Sequence, residues 1–214
     1  MKHLFAIVLI ASCALSARAD GLESLEAFVK NTKSGRADFT QVVTAPAREG
    51  QNARSKTSSG TFEFSRPNRF KFLYQKPFEQ SIVADGQTLW LYDVDLNQVT
   101  ARKLTQVLSG TPAAVIAAAA DLKALQADFT LVAQPDKGGL EWVQATPKTK
   151  DGQVQSISVG FKSTGKGSEL VVLEILDSFG QRSVMTFSQF EVNPALGAAG
   201  FQFKPPAGAD VIRQ

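Results

Sequence analysis

Between Thr61 and Lys103 the chain is written in five short runs, "TFEFS", "RFKFLY", "QSIVAD", "TLWLYD" and "QVTARK". Side chains on a strand point to opposite faces in turn, so alternating runs of this length read as strands with one buried face. "DGQ" (Asp85 to Gln87) and "DVDLN" (Asp93 to Asn97) separate the last three with turn-forming residues. Runs this short and regular mean an antiparallel meander. Within "RPNRFKFLY" (Arg66 to Tyr74), the residues Phe70, Phe72 and Tyr74 share one face, and Arg69 and Lys71 take the other, solvent-facing side. Phe62 and Phe64, with Trp90 and Tyr92, extend the aromatic pattern onto neighbouring strands. Such a face suits either a filled core or an apolar ligand cavity.

The remaining elements follow the same logic. Leu22, Leu25, Phe28 and Val29 are spaced for an amphipathic helix over Leu22 to Asn31. "RADFTQVV" starts a strand, and the polar stretch Thr44 to Gly60 reads as a hairpin loop. Thr111 to Leu125 reads as an alanine-rich helix, with Thr111 as N-cap and Pro112 in the first turn. Small side chains in a covering helix pack weakly, which favours a cavity beneath a movable cover over a locked core. Strands resume with "DFTLVA", "LEWVQATP", "VQSISVGF", "ELVVLEILD" and "RSVMTFSQFEV". The two prolines of "FQFKPPAGADVI" forbid a long regular element in the tail. The sum is one domain of about 10–11 antiparallel strands in one curved sheet with a helical cover, a form that includes an open barrel.

Residues 1–19 are expected to lie outside that domain. A basic start (Lys2, His3), the apolar "LFAIVLIASCALS" and the small-x-small "ARA" make a signal peptide cut after Ala19, leaving residues 20–214 as the mature domain. "IASC" (Ile10 to Cys13) offers a competing reading, a lipobox that would lipidate Cys13. Cleavage at Ala19 removes the only histidine, His3, and the only cysteine, Cys13. A mature chain without them has no Ser-His-Asp triad, no Cys-His pair, no zinc or copper site built on imidazole or thiolate, and no disulfide. Loss of Lys2 and Arg18 also leaves 21 basic against 20 acidic residues, a net charge of +1 that gives no nucleic-acid footprint.

Several motifs fall short of their chemistry. "GFKSTGKG" (Gly160 to Gly167) lacks the Ser or Thr that a phosphate-binding loop needs after its lysine, and a strand-like run follows it where a helix should begin. It reads as a glycine-rich hairpin turn, which also disqualifies Ser163 and Lys166 as a nucleophile pair. "DVDLNQ" has Gln98 where a calcium loop needs glycine and Leu104 where it needs glutamate, so it reads as a turn. No carboxylate spacing picks out a glycosidase pair. No catalytic residue, metal site or cofactor emerges.

The order of motifs does more. "GTFEFSRPNRFKFLYQKPFEQSIVADGQTLWLYDVDLNQVTARK" resembles the central block of the LolA family of outer-membrane lipoprotein carriers. Gly60, "RPNRF", Pro77, "DGQTLWLYD" and "QVT" carry the match, with "DFTQ" (Asp38 to Gln41) before it and "TPAAVIA" (Thr111 to Ala117) and "FQFKPP" (Phe201 to Pro206) after it. The resemblance implies an unclosed antiparallel β half-barrel covered by helices around an apolar cavity. It implies a periplasmic, monomeric, non-enzymatic carrier that shields the acyl chains of lipoproteins. Its partners would be an inner-membrane ATP-binding-cassette exporter and an outer-membrane receptor. Phe70 and Phe72 fall on the family's cavity-wall positions, and Phe62, Phe64 and Trp90 are expected to share the lining. Arg66 matches the arginine that latches the lid, bonding to carbonyls around Ala113 to Ala117. Val115 and Ile116 are the lid residues best placed to meet acyl chains. "AAVIAAAA" is less bulky than the family lid leads one to expect, which implies a looser lid or a wider cavity. The alternatives are the related receptor LolB, which would require a lipidated Cys13, and an exported lipid-binding module with no shuttle role.

Overall fold

The computed structural model describes residues 20–47, 50–107, 119–149, 153–165 and 167–214. A first meander runs through β1 (Ser34–Thr44), β2 (Ser55–Ser65), β3 (Arg69–Lys76), β4 (Gln80–Asp85), β5 (Thr88–Asp93) and β6 (Gln98–Lys103). A second runs through β7 (Phe129–Lys137), β8 (Leu140–Pro147), β9 (Val154–Thr164), β10 (Gly167–Asp177) and β11 (Arg182–Val192), and β12 (Asp210–Arg213) ends the chain. They form one 12-stranded sheet in the order β12-β6-β5-β4-β3-β2-β1-β11-β10-β9-β8-β7. The two meanders join where β1 pairs antiparallel with β11. The edges β12 and β7 are not paired with each other, so the sheet is unclosed.

Helix α1 (Gly21–Asn31) covers one face of this sheet, which we call the inner face. It starts where the Asp20 carboxylate accepts from the amides of Leu22 and Glu23, each at 2.9 Å. Its apolar stripe Leu25, Phe28 and Val29 is buried against the core. Gly21 lets it settle close: a Cβ there would lie 1.9 Å from the Trp142 carbonyl oxygen. Under the helix, Ser24 donates to the buried Glu141 carboxylate and accepts from Ser168 at 3.1 Å. Two shorter helices, α2 (Leu104–Val107) and α3 (Leu122–Asp128), follow the first meander.

Four expectations change. The sheet has twelve strands because the tail, after Pro205 and Pro206, returns as β12 parallel to β6. Proline forbids ladder bonds only at its own position. The loop expected over Thr44 to Gly60 shortens, because β1 and β2 pair along their whole lengths from Thr44 with Ser55 to Ser34 with Ser65. A continuous helix from Thr111 to Leu125 does not form. Asp121 is extended (φ −156°, ψ 176°) and caps α3 by accepting from the Ala124 amide at 2.8 Å, while Thr111 to Ala118 lie outside the described residues. Lys71 is not free in solvent. It pairs with Glu63 at 2.8 Å and donates to the Gly200 carbonyl at 3.2 Å, because the tail lies over the outer face.

Candidate functional site

Strand register sorts the inner face into rows. In the first, Gly35, Phe64, Phe70, Ala84 and Leu89 stand opposite one another across β1 to β5. In the second stand Ala37, Phe62, Phe72, Ile82 and Leu91, and in the third Phe39, Gly60, Tyr74, Gln80 and Asp93. Phe62, Phe64, Phe70 and Phe72 are 0–3% exposed. Phe62 stacks on Phe72 at 4.3 Å between centroids, and Phe28 of α1 closes over Phe64 at 6.0 Å. Four of the five expected wall residues therefore meet on one face. Their own rings fill the space beneath α1. Gly60 is required by approach: a Cβ there would sit 1.9 Å from the Leu73 carbonyl oxygen.

Trp90 is a correction. Register pairs it with Val83 and Ala101, on the outer face, while its neighbours Leu89 and Leu91 point inward. Its indole donates to Asp85 at 3.0 Å and packs against Phe203 at 5.5 Å. Val83, Val99, Ala101 and Phe201 are buried on this side, forming a second, smaller core under the tail. Alternation says only that Trp90 and Leu89 face opposite ways; which of them faces in depends on what covers each side. Phe39, Leu89 and Leu91 are inner-face residues that the sequence reading did not single out, although "RADFTQVV" carries Phe39 in phase.

Arg66 lies at the end of the inner face beside the first row. A tight turn through Asn68 (φ 62°) follows it, and its own amide donates to the Lys33 carbonyl at 2.8 Å. Its Nε donates to the carbonyl of Thr32, the C-cap of α1, at 2.8 Å, and its Nη1 donates to the Ala119 carbonyl at 2.7 Å. The guanidinium carbon stands 5.3 Å from the Phe28 ring centroid and 5.1 Å from that of Phe64. A cation suits the negative end of a helix dipole and the faces of aromatic rings. Burial pushes Arg66 down to about 10, still charged at neutral pH. One side chain thus ties the end of α1 to the chain entering α3. Ala113 to Ala117, where the latch was expected, lie outside the described residues, as do Val115 and Ile116; the described carbonyl is that of Ala119.

At its far end the inner face opens into a groove of about 820 Å³ lined by Tyr74, Pro77, Phe78, Gln80, Asp93 and Leu96, among others. Among the described residues no group of three or more His, Cys, Asp or Glu is placed to hold a metal ion.

Comparison with known proteins agrees with this geometry. The family model for the outer membrane lipoprotein carrier protein LolA matches residues 30–204. The outer-membrane lipoprotein carrier protein of Albidiferax ferrireducens is 72% identical over 214 residues, covering 100% of both chains. That of Methylibium petroleiphilum is 54% identical over 199 residues, covering 93% of this chain and 92% of its own. Among solved structures, an uncharacterized conserved protein from Thermus thermophilus shares the fold at a TM-score of 0.56. It is 12% identical and is matched over 90% of this chain and 98% of that one. The fold, the phenylalanine rows and these relatives together show that the chain belongs to the outer-membrane lipoprotein carrier family.

Proposed function

We propose that the protein takes lipoproteins released from the inner membrane and holds their acyl chains against the phenylalanine rows. It then carries them through the periplasm to a receptor on the outer membrane. An ATP-binding-cassette exporter supplies the cargo. The signal peptide directs export and is cleaved after Ala19, which makes residues 20–214 the working carrier. The observation that carries this reading is the inner face itself: Phe62, Phe64, Phe70 and Phe72 in two adjacent rows, covered by α1 and bordered by Arg66.

The energetics explain why a carrier is needed and how it lets go. Each buried methylene contributes about 0.8 kcal/mol, so a sixteen-carbon chain in water is unfavourable by roughly 12 kcal/mol. A binding site that kept all of that would never release cargo. Here the protein's own rings and α1 already pack against the face. Loading displaces those contacts, and net affinity is the difference between the two. The Arg66 bonds to Thr32 and Ala119 hold the covered state and so lower the net affinity.

Release tests the reading. Purified residues 20–214 are added to inner-membrane vesicles holding the exporter, a triacylated lipoprotein and ATP. A soluble one-to-one complex on gel filtration is expected. A lipoprotein that stays in the membrane while the protein binds a fatty-acid probe would mean a lipid-binding module without a shuttle role.

A further inference from the structure

The inner face changes chemistry along its length. Its first two rows are apolar, but in the third Tyr74 is followed by Gln80 and Asp93, and on β1 Phe39 is followed two positions on by Gln41. The polar groups are joined. The Tyr74 hydroxyl donates to Gln41 Oε1 at 2.9 Å, and Gln41 Nε2 donates to the Ser183 hydroxyl at 2.8 Å. Rows are two residues apart along a strand, so this belt starts about 13 Å from the row beside Arg66. The belt residues Gln41, Tyr74, Gln80 and Asp93 line the groove of about 820 Å³, a size within the range of small-ligand sites. Phe78 and Leu96, at the tips of the β3–β4 and β5–β6 turns, form its lips and are each 69% exposed. The opposite end of the face is crossed by α1 and tied by Arg66. Among the described residues, an acyl chain lying on the phenylalanine rows has its open direction toward the belt.

We propose that the belt and groove are the subsite for the polar end of the cargo. The ester and amide groups that join acyl chains to protein lie at Tyr74, Gln41 and Ser183, and the first residues of the cargo polypeptide leave past Phe78 and Leu96. The proposal rests on the carrier reading above. Ester carbonyls only accept hydrogen bonds, and the belt holds a phenol, an amide and a hydroxyl that can turn a donor toward them. Burial pushes the Tyr74 phenol up to about 12, so it remains a donor at working pH. Charge adds selectivity. The groove lining carries Glu79, Asp93 and Asp95 against Lys56. A fatty-acid carboxylate or a lipid phosphate placed there meets like charges, whereas a neutral ester does not. The subsite thus favours acylated protein over free fatty acid and phospholipid.

A photo-crosslinking residue, p-benzoylphenylalanine, tests the direction. It replaces Phe78, Leu96 or, at the opposite end, Val192, which pairs with Gly35 of the first row and is 51% exposed. Each variant is loaded from exporter vesicles with a triacylated lipoprotein and irradiated. Adducts to the first residues of the cargo polypeptide are expected from Phe78 and Leu96 and not from Val192. A soluble complex that crosslinks from Val192 alone overturns the proposal and leaves the carrier reading standing. Failure of the unsubstituted protein to form a soluble complex removes both. A second measurement reads the belt: displacement of a fluorescent acyl probe by methyl palmitate and by palmitate. The pair Tyr74→Phe and Gln41→Leu should weaken methyl palmitate roughly threefold to tenfold, as loss of hydrogen bonds to a neutral group does, and leave palmitate unchanged. Equal change for both, or none, overturns the assignment of the belt.

Discussion

Phe62 on β2 and Phe72 on β3 stand directly opposite each other, their rings stacked 4.3 Å apart. Phe62 also packs against Phe64 at 5.7 Å and Phe187 at 5.5 Å, so it sits at the centre of the phenylalanine rows. On the proposed reading the same ring serves both the stability of the fold and the binding of cargo.

Phe62→Ala should cost about 3–5 kcal/mol of stability, the range for emptying a buried aromatic site. Urea unfolding reads the loss, and a saturating acyl probe should return part of it, since a ligand that binds only the folded state adds to its stability. A loss under 1 kcal/mol would mean that the rings are loosely packed and do not compete with cargo.

Arg66→Leu removes the donors to Thr32 and Ala119. The covered state then loses its tie, and cargo should be held more tightly. Transfer of loaded lipoprotein to the outer-membrane receptor should fall about tenfold, equivalent to a change of about 1.4 kcal/mol. Arg66→Lys should fall between the two, because an ammonium cannot reach two divergent carbonyls with the fork of a guanidinium. A leucine variant that hands over cargo as readily as the parent would end this role for Arg66.

Tyr74 gives a pH signature. Burial raises its folded value from 10.0 to about 12. Between those values the unfolded chain has given up the phenolic proton and the folded chain keeps it, so stability is full below pH 10 and declines as pH rises toward 12. Thermal unfolding from pH 9 to 12, compared with Tyr74→Phe, should show a smaller decline in the variant. Parallel curves would place the phenol in water.

Phe201→Ala separates the two faces. Phe201 is 1% exposed and belongs to the outer core with Val83, Val99 and Ala101. The change should cost about 3–5 kcal/mol while acyl-probe affinity stays within about twofold of the parent. An affinity loss matching that of Phe62→Ala would bring the outer face into the cargo site.

Gly60→Ala tests register at the third row. The added methyl meets the Leu73 carbonyl at 1.9 Å, which is backbone and cannot swing aside. A loss of about 1–3 kcal/mol or more is expected from the forced shift of β2 against β3, read by chemical denaturation.

Much of this was legible in the chain before any coordinates. A period of two is a local property, so "TFEFS" and "RFKFLY" were enough to place Phe62, Phe64, Phe70 and Phe72 each on one face of its strand. Short turns were enough to make the strands antiparallel neighbours. The motif order around "RPNRF" was enough to suggest the family and to single out Arg66. What period two leaves open is which face of each strand points inward, and Trp90 shows the cost. It is as aromatic and as well phased as Phe72, yet Val83 and Ala101 stand beside it and Phe203, more than a hundred residues later, covers it. The side that is buried is set by what lies on it, and both covers, α1 and the tail, come from the ends of the chain. The partners of Arg66 were out of reach for the same reason. Thr32 and Ala119 lie 34 and 53 residues away and offer only carbonyl groups, which every residue has. Residue type determined the strands, their phase and the family; only the packing of distant segments decided which face became the site and what the arginine holds.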